Sequence, residues 1–222
     1  MTVLVAGGTG YLGTAVVREL LAGGYSIAAT WVLESEAERL AADPVELLHA
    51  DLFDPDQVGK AIETVDDLEA VVNLVGGYAE GSRVHETDPD ELDRLLGLNV
   101  KPCFLLARAA MPRLMERGGG AFVGVSARAA LRPFPGAAPY ITAKAAVLAL
   151  IQALDAEYKH DGIRCNAILP SVIDTPANRS AQPKADYSKW VQPEEIAKVV
   201  RFLVSDDSAP ISGAGVPVYG RA

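Results

Sequence analysis

The sequence predicts an α/β fold, in which a doubly wound, mostly parallel sheet of about seven strands carries helices on both faces. Short apolar runs alternate with longer amphipathic stretches along the whole chain, which is the pattern of strands followed by crossover helices. Glycine pairs or an Asp-Gly pair end several of these segments, as expected where a chain turns. Half of the 222 residues are hydrophobic and no low-complexity linker interrupts them, so a single domain over residues 1–222 is predicted.

The first half of the chain predicts four strands and three helices. Residues 2–6 form a continuous apolar run, which is typical of a strand buried on both faces. Residues 11–22 then place Leu12, Val16 and Leu20 at helical spacing before a glycine pair ends the helix. By the same reasoning, further strands are predicted at residues 26–32, 45–49 and 69–75, and further helices at residues 34–41 and 55–64.

The second half begins with a strong helix start. Asp88 can cap the helix, Pro89 suits its first turn, and Glu91 lies three residues after the cap. This helix is predicted to run to about Arg117, where three glycines follow. The remaining segments predict strands at residues 121–126, 163–169 and 216–219, helices within 136–160 and at 193–204, and an irregular Pro-rich stretch at 170–192.

Charge and composition argue against several classes of protein. The chain holds 29 Asp and Glu against 20 Lys and Arg, and this net charge of -9 argues against a nucleic-acid partner. No apolar run approaches the roughly 20 residues that a membrane span requires. Residues 1–6 lack the basic start of a signal peptide, so a cytoplasmic location is expected. Cys103 and Cys165 are far apart and the three histidines form no cluster, so no metal site is predicted.

A glycine-rich loop separates the first strand from the first helix and reads Ala6-Gly-Gly-Thr-Gly-Tyr-Leu-Gly13. Glycine permits a tight turn and lets a pyrophosphate approach the backbone, and the following helix offers free N–H groups and the positive end of its dipole. A position between a strand and a helix is the context that a dinucleotide-binding loop requires. The residues of this loop predicted to bind the cofactor are Gly7, Thr9, Gly10, Tyr11, Leu12 and Gly13.

The end of the second strand is expected to decide between the two nicotinamide dinucleotides. An acidic side chain there accepts a hydrogen bond from the ribose 2′-hydroxyl of NAD, whereas an arginine suits the 2′-phosphate of NADP. Trp31 holds the usual acidic position, and we expect it beside the adenine ribose. Thr30 or Arg39 can serve a phosphate and Glu34 can serve NAD. The sequence leaves NADP(H) or NAD(H) open, and the missing acid favours NADP(H).

The segment Tyr140-Ile-Thr-Ala-Lys144 carries the predicted chemistry. Residues four apart in a helix share one face, so the lysine ammonium lies one turn from the phenol. A phenol with an ordinary pKa near ~10 is a poor acid or base at neutral pH unless its anion is stabilised, and the ammonium supplies that stabilisation. Tyr140 can then pass a proton to a carbonyl oxygen as a hydride arrives.

Together these segments resemble the short-chain dehydrogenase/reductase family, and the resemblance covers nearly the whole chain. It rests on the glycine loop, Asn73-Leu-Val-Gly76, Tyr140 with Lys144, and Pro170-Ser-Val-Ile-Asp-Thr175. The resemblance implies a single-domain Rossmann fold and an NAD(P)(H) cofactor. It also implies a small-molecule substrate and a homodimer or homotetramer that pairs through the two long helices.

The resemblance further implies roles for individual residues. Asn99 would support a proton relay to Lys144 through a water held at its helix, where Pro102 lacks an N–H and frees a carbonyl group. Asp51 would contact the adenine, and Thr175 the nicotinamide carboxamide. The residues so implied for cofactor binding are Asp51, Leu52, Asn73, Gly76, Lys144, Pro170 and Thr175.

One departure from the family pattern affects the catalytic site. The usual position of a catalytic serine holds Ala127, and the adjacent Ser126 is the candidate replacement. A one-residue shift on a strand turns a side chain to the opposite face, so the sequence leaves open whether a hydroxyl serves here. Dihydropteridine reductases also do without this serine, which makes a dihydropteridine-reductase-like enzyme one alternative. A non-catalytic NAD(P)-binding sensor or scaffold is another.

A short loop over residues 176–191 is predicted to cover the substrate. Phe134, Arg179 and Trp190 are the candidate substrate contacts, and Arg179 is suited to pair with an acidic substrate. The sequence therefore predicts an NAD(P)H-dependent oxidoreductase that reduces a carbonyl or quinonoid small molecule. Tyr140 is the expected proton donor, and the residues expected to support it are Lys144, Asn99 and Ser126.

Overall fold

Seven parallel strands form one sheet within residues 1–221, the part of the chain that the computed structural model describes. Ala222, the last residue of the predicted domain, lies outside the described residues. The strands lie in the spatial order β3-β2-β1-β4-β5-β6-β7. Along the chain they are β1 Thr2–Ala6, β2 Ser26–Trp31, β3 Val45–His49, β4 Leu68–Asn73, β5 Gly120–Val125, β6 Ile163–Pro170 and β7 Gly215–Val218.

Helices join successive strands, and short 3-10 turns extend several of the connections. Two prolines, Pro102 and Pro112, lie inside the longest helix, which nevertheless continues through both. The α-helices are α1 Tyr11–Ala22, α2 Glu34–Ala37, α3 Pro55–Thr64, α4 Pro89–Arg117, α5 Ala138–Tyr158, α6 Pro176–Ala181 and α7 Pro193–Val204.

The two faces of the sheet are buried against different helices. On β1, Val3 and Val5 pack in one apolar cluster with Leu20 of α1 and Val200 of α7. Leu4 points the other way, into the cluster that α3, α4 and α5 complete. Because successive side chains of a strand alternate between faces, an unbroken apolar run is what a sheet covered on both sides needs. The predicted fold class is confirmed.

The helix predicted at residues 34–41 is shorter than expected. Helix α2 ends at Ala37, and a 3-10 turn, Glu38–Leu40, replaces the rest. This tighter turn buries Leu40 in the core on the α1 side of the sheet. It also directs Arg39 back towards the first loop of the chain.

The stretch of residues 170–192, predicted to be irregular, contains α6 and a 3-10 turn, Tyr187–Lys189. Helix α6 begins there because the Thr175 hydroxyl accepts a hydrogen bond from the Asn178 backbone N–H at 3.3 Å, and Pro176 occupies the first turn. The sequence signal was a helix start of the same kind as the one before α4, but its helix is too short to show an apolar period.

The strand order places a crevice at the carboxyl end of the sheet. From β1 the chain adds β2 and β3 on one side, then returns to the other side of β1 and adds β4 to β7 in the opposite direction, so the strand order reverses at β1. In open α/β sheets, ligands bind outside the carboxyl ends of the strands at such a point. Within residues 1–221, no helix combines the length and apolar character needed to cross a membrane.

Candidate active site

A cavity of about 670 Å³ opens at the carboxyl ends of β4, β5 and β6. Its walls come from the loop after β4, the turn after β5, the start of α5 and the segment after β6. The predicted site residues that line it are Leu12, Gly76, Ser126, Phe134, Tyr140, Lys144 and Pro170. The structure thus brings the predicted catalytic helix and one residue of the glycine loop to the same cavity.

The glycine loop is packed so tightly that two of its glycines have no room for a side chain. A Cβ added at Gly13 would lie 2.2 Å from the Gly7 carbonyl oxygen, and one at Gly8 would lie 2.7 Å from the Cβ of Ala29. Gly7 has a positive φ of 74° and donates its N–H to the Thr30 hydroxyl at 3.1 Å. Thr30 therefore holds the loop against β2.

Gly10 differs from these glycines because its surroundings are open. A Cβ added there would meet only the Gly7 carbonyl oxygen, at 3.5 Å, and Gly10 immediately precedes the first residue of α1. Its side-chain-free backbone is therefore presented at the positive end of a helix dipole. This arrangement fits the pyrophosphate of a dinucleotide, and the residues that would hold it are Thr9, Gly10, Tyr11 and Leu12.

Arg39 lies against the outer side of the same loop. Its guanidinium donates a hydrogen bond to the Thr9 carbonyl oxygen at 2.8 Å and stands 4.7 Å from the centroid of the Tyr11 ring. Glu36 pairs with it at 3.3 Å. The contact joins residues 30 positions apart in the chain, and it places a cation where the glycine loop meets the turn after β2.

The residues expected around the adenine are near each other at the ends of β2 and β3. The Trp31 ring packs edge-on against His49, with ring centroids 4.6 Å apart. The Asp51 carboxylate accepts a hydrogen bond from the Phe53 N–H at 2.9 Å, and Leu52 is buried in the core. These side chains can border an adenosine, and their contact with the adenosine of the cofactor stays a prediction.

Tyr140 and Lys144 occupy one face of α5, one turn apart, and both line the cavity. The Lys144 ammonium is buried and donates a hydrogen bond to the Val125 carbonyl oxygen at 3.0 Å. Burial lowers the pKa of Lys144 to about 8 and raises the pKa of Tyr140 to about 12, because each charged form loses hydration. At pH 7 the phenol therefore keeps its proton and the lysine keeps its charge. Burial raises the pKa of Tyr140, which corrects the expectation that the nearby ammonium lowers it.

Asn99 supports the loop that faces this pair. Its side-chain oxygen accepts from the Gly77 N–H at 3.1 Å, and its amide nitrogen donates to the carbonyl oxygens of Gly77 and Leu95 at 3.2 and 2.9 Å. A Cβ added at Gly76 would lie 2.5 Å from the Asn99 oxygen and 3.0 Å from the Lys144 nitrogen. Asn99, Gly76 and Lys144 therefore converge, and the water-mediated relay from Asn99 to the lysine stays a prediction.

Comparison with known proteins agrees with this geometry. A family model described as enoyl-(acyl carrier protein) reductase matches residues 9–220. The 2-(R)-hydroxypropyl-CoM dehydrogenase of Xanthobacter autotrophicus is 31% identical, over 98% of this chain and 96% of that protein. The 4-formylbenzenesulfonate dehydrogenase of Comamonas testosteroni is 31% identical, over 73% of this chain and 70% of that protein.

Similarity in three dimensions points to the same group of enzymes. The solved structure of a short-chain type dehydrogenase/reductase from Mycobacterium ulcerans superposes with a TM-score of 0.92 at 26% identity, covering 99% of this chain and 88% of that one. The chain belongs to the short-chain dehydrogenase/reductase family. It is accordingly an NAD(P)-dependent oxidoreductase that acts on a small molecule, which confirms the resemblance seen in the sequence.

In this short-chain dehydrogenase/reductase, Ser126 does not offer its proton to the cavity. Its hydroxyl donates a hydrogen bond to the Lys144 carbonyl oxygen at 2.7 Å, and its side chain is buried. This corrects the expectation that Ser126 supplies the missing catalytic hydroxyl. Ser126 and Ala127 both line the cavity, but the Ser126 hydroxyl is directed at the backbone of α5 and Ala127 has no hydroxyl.

Two of the three predicted substrate contacts lie outside the cavity. Arg179 is held by Asp174 through two hydrogen bonds of 2.5 and 2.7 Å, and Trp190 is buried against the ring of Tyr187. This corrects the expectation that both residues contact the substrate. Arg179 already has an acidic partner within the chain, and Trp190 is buried in the protein. Only Phe134 lines the cavity as predicted.

Thr175 serves as the cap of α6 through its hydroxyl. Asn73 also has a local role, since its side-chain oxygen accepts from the Val75 N–H at 3.1 Å and shapes the loop after β4. Neither residue lines the cavity in the structure. Their predicted contacts with the nicotinamide half of the cofactor stay predictions.

Sequence reasoning missed much of the cavity wall, including three residues with polar or charged side chains, Tyr78, Arg128 and Arg132. Tyr78 packs edge-on against Tyr140, with ring centroids 4.8 Å apart, and burial raises its pKa further above the ordinary range. Arg128 and Arg132 enter from the turn after β5. Tyr78 directly follows the glycine pair after β4, and that position was the available signal. The two arginines carried no motif.

Proposed function

We propose that this enzyme reduces the carbonyl group of a small molecule, with Tyr140 as the proton donor. The observation that carries the proposal is the placement of Tyr140 and Lys144, one turn apart, on the wall of a cavity that Leu12 of the glycine loop also borders. The two relatives are named for a hydroxypropyl and a formyl compound, which is consistent with alcohol and carbonyl chemistry.

The bound nicotinamide dinucleotide supplies the hydride for this reduction. The side chains hold and move the proton. Tyr140 keeps its proton at neutral pH and donates it to the substrate oxygen. The Lys144 ammonium, fixed by the Val125 carbonyl, favours the phenolate that remains after this transfer. Asn99 holds the loop at Gly77, so the cavity wall opposite the lysine keeps its shape.

The missing serine supports a quinonoid ring or an activated ketone as the substrate within this class. The Ala127 side chain offers no donor, and the Ser126 hydroxyl already donates a hydrogen bond to the Lys144 carbonyl oxygen. One donor at a comparable oxyanion site contributes about 2.7–4 kcal/mol to the transition state. A substrate that reacts readily needs this contribution less, which favours a dihydropteridine-reductase-like chemistry as the second candidate.

The test of the reduction is the change Tyr140→Phe, assayed with NADPH and a panel of activated ketones and quinonoid substrates. Removing a general acid should lower kcat by about 10²-fold or more and leave cofactor affinity unchanged. Tyr158→Phe, the same change at the far end of α5, is the control and should keep full activity. Equal turnover by the Tyr140→Phe variant and the unaltered enzyme would overturn the proposal.

NADP(H) is the proposed cofactor form, because Arg39 stands at the glycine loop where a 2′-phosphate needs a cation. Quenching of tryptophan emission should show NADPH binding more tightly than NADH. In Arg39→Gln the Kd for NADPH should rise about tenfold or more, while the Kd for NADH changes little. Lys198→Gln, which removes an exposed charge on α7, is the matched control. An unchanged ratio of the two affinities in Arg39→Gln would contradict the assignment.

A cytoplasmic location and a homodimer or homotetramer complete the proposal. Both come from the sequence and its family resemblance.

A further inference from the structure

The charge of the cavity is opposite to the charge of the chain. The protein carries a net charge of -9, with 29 acidic residues. The charged side chains that line the cavity are nevertheless all cationic, Arg128, Arg132 and Lys144, and within the described residues no Asp or Glu lines it. Lys144 belongs to the catalytic pair and is bound to Val125, so the two arginines are cations that the chemistry described above does not use.

Both arginines lie on the same turn after β5. Arg128 begins the 3-10 turn Arg128–Ala130 directly after β5, and the Arg132 N–H donates to the Arg128 carbonyl oxygen at 2.9 Å. The Arg128 guanidinium is half-buried and lies 5.2 Å from the centroid of the Tyr219 ring, which fixes the direction of the side chain. Arg132 is exposed at the mouth of the same cavity.

Neither guanidinium has an acidic partner in the part of the chain that the structure describes. No carboxylate lies within 4 Å of Arg128 or Arg132, and neither donates a side-chain hydrogen bond there. Arg179, by contrast, is paired with Asp174. Two guanidinium groups left free at one cavity, in an acidic protein, present unused donors for an anion.

We propose that Arg128 and Arg132 form an anion-binding subsite and that the substrate is a carbonyl compound carrying a carboxylate or sulfonate group. The apolar wall formed by Pro133, Phe134, Val172 and Ile173 would bind the carbon skeleton between the reacting carbonyl and the anionic group. The planar fork of a guanidinium matches the paired oxygens of either anion. The inference rests on the proposed function, since it places the carbonyl at Tyr140.

The first experiment measures binding without turnover. Benzoate, benzenesulfonate and the neutral benzamide are titrated calorimetrically into the enzyme, with and without NADP⁺. We expect at least one anion to bind about tenfold or more tightly than benzamide, and the double variant Arg128→Gln/Arg132→Gln to remove this preference. Comparing benzoate with benzenesulfonate distinguishes a carboxylate site from a sulfonate site.

Control variants distinguish binding at the subsite from a general effect of the protein's net charge. Lys198→Gln removes the same charge from the exposed face of α7 and should keep the preference for the anion. Arg132→Gln alone changes only an exposed side chain, so it remains informative if the Arg128 variants fail to fold because the Tyr219 contact is lost. Equal binding of benzoate, benzenesulfonate and benzamide, or a preference that survives in the double variant, would overturn the inference.

The second experiment distinguishes failure of this inference from failure of the proposed function. Reduction of 4-formylbenzoate is compared with reduction of its neutral methyl ester. The arginine variants should raise KM for the acid about tenfold and leave kcat and the KM of the ester unchanged. If the arginines govern anion binding but Tyr140→Phe has no effect on turnover, the role of Tyr140 as proton donor fails and the subsite stands. If both substrates turn over and the KM for the acid is the same in every arginine variant as in the unaltered enzyme, the reduction stands and the subsite fails.

Discussion

At the scale of the residue, Lys144 is a charged group of the proposed site whose burial is unfavourable for folding. The ammonium is buried with a backbone carbonyl as its partner, and its pKa of about 8 lies well below the ordinary value for lysine. In the proposed reaction the charged form favours the Tyr140 phenolate, while burial favours the neutral form. The enzyme therefore retains a group that is unfavourable for folding at the pH where it is useful.

The first prediction from this pKa is a pH profile. Lys144 is charged below pH 8 and loses its proton as the pH rises through about 8. Because the reduction depends on the charged form, kcat for carbonyl reduction should be level near pH 6–7 and fall above pH 8. Stopped-flow or steady-state rates between pH 6 and 10 provide the measurement. A rate that keeps rising to pH 10 would show that the charge of Lys144 is not required.

The same pKa predicts that Lys144→Met is inactive but more stable. The folded pKa, about 8, lies below the unfolded value of about 10.4, so the cost of the buried charge is fully present below pH 8 and declines towards pH 10.4. This cost is about 3 kcal/mol, and losing the bond to Val125 offsets about 1 kcal/mol of the gain. Thermal unfolding at pH 7 should show a Tm higher by roughly 4–8 °C.

Two further measurements bear on the Lys144→Met prediction. The gain in Tm should shrink as the pH is raised towards 10, because the unaltered enzyme then holds a neutral lysine. Lys198→Met, on the exposed face of α7, should change stability by less than about 0.5 kcal/mol. A loss of stability in Lys144→Met at pH 7 would contradict the cost assigned to burial.

At the scale of the element, the junction of β1 and α1 separates glycines needed for packing from a glycine needed for binding. A Cβ added at Gly13 would lie 2.2 Å from the Gly7 carbonyl oxygen. The change Gly13→Ala should therefore force the loop to move and lower the free energy of unfolding by about 1–3 kcal/mol. Gly10 has space and an ordinary φ of -68°, so Gly10→Ala should leave the Tm nearly unchanged.

Cofactor binding should respond to both changes in this loop. The added methyl group of Gly10→Ala lies where the pyrophosphate approaches the backbone, so this variant should bind NADPH weakly while remaining fully folded. Calorimetric titration and thermal unfolding of the two variants give the two readouts. If Gly10→Ala binds NADPH as tightly as the unaltered enzyme, the glycine loop is not the phosphate site.

At the scale of the whole molecule, the sequence predicted what depends on neighbours along the chain. The run Thr2–Ala6 and the Asp88 cap are local signals, and both elements lie where they were expected. Contacts between distant segments were not predictable. Ser126 turns to a carbonyl 18 residues away, and Arg39 reaches the Thr9 carbonyl across 30 residues. Such contacts depend on how α5 and the turn after β2 pack, and no local pattern encodes that packing.

The cavity wall shows the same limit. Tyr140 and Lys144 were predictable because helical spacing fixes their relation. Arg128 and Arg132 were not, because their role arises from a turn after β5 that places them at a cavity closed by the segment after β6. Arg179 was chosen for its position in the predicted substrate loop, yet Asp174, five residues earlier, binds it. Ion pairs within the protein decide which arginines can bind a ligand, and such pairs form only in the folded chain.

The outer surface of α4 and α5 bears on assembly. Phe104 and Met115 of α4 are 52% and 44% exposed, and α5 presents the small exposed side chains of Ala149 and Ala153. Large apolar side chains facing small ones allow two helices to pack closely, and burying an exposed phenylalanine contributes about 1.5–3 kcal/mol. Together with the predicted pairing through the two long helices, this surface predicts a homodimer or homotetramer in solution.

Light scattering coupled to gel filtration measures the assembly directly. The change Phe104→Glu places a charge on the α4 surface and should shift the protein to a smaller species, because a carboxylate buried without a partner is strongly unfavourable. Phe202→Glu is the matched control, since Phe202 is a 40% exposed phenylalanine on α7, on the opposite face of the sheet. It should leave the mass unchanged. A monomeric unaltered protein, or dissociation by Phe202→Glu alone, would contradict association through α4 and α5.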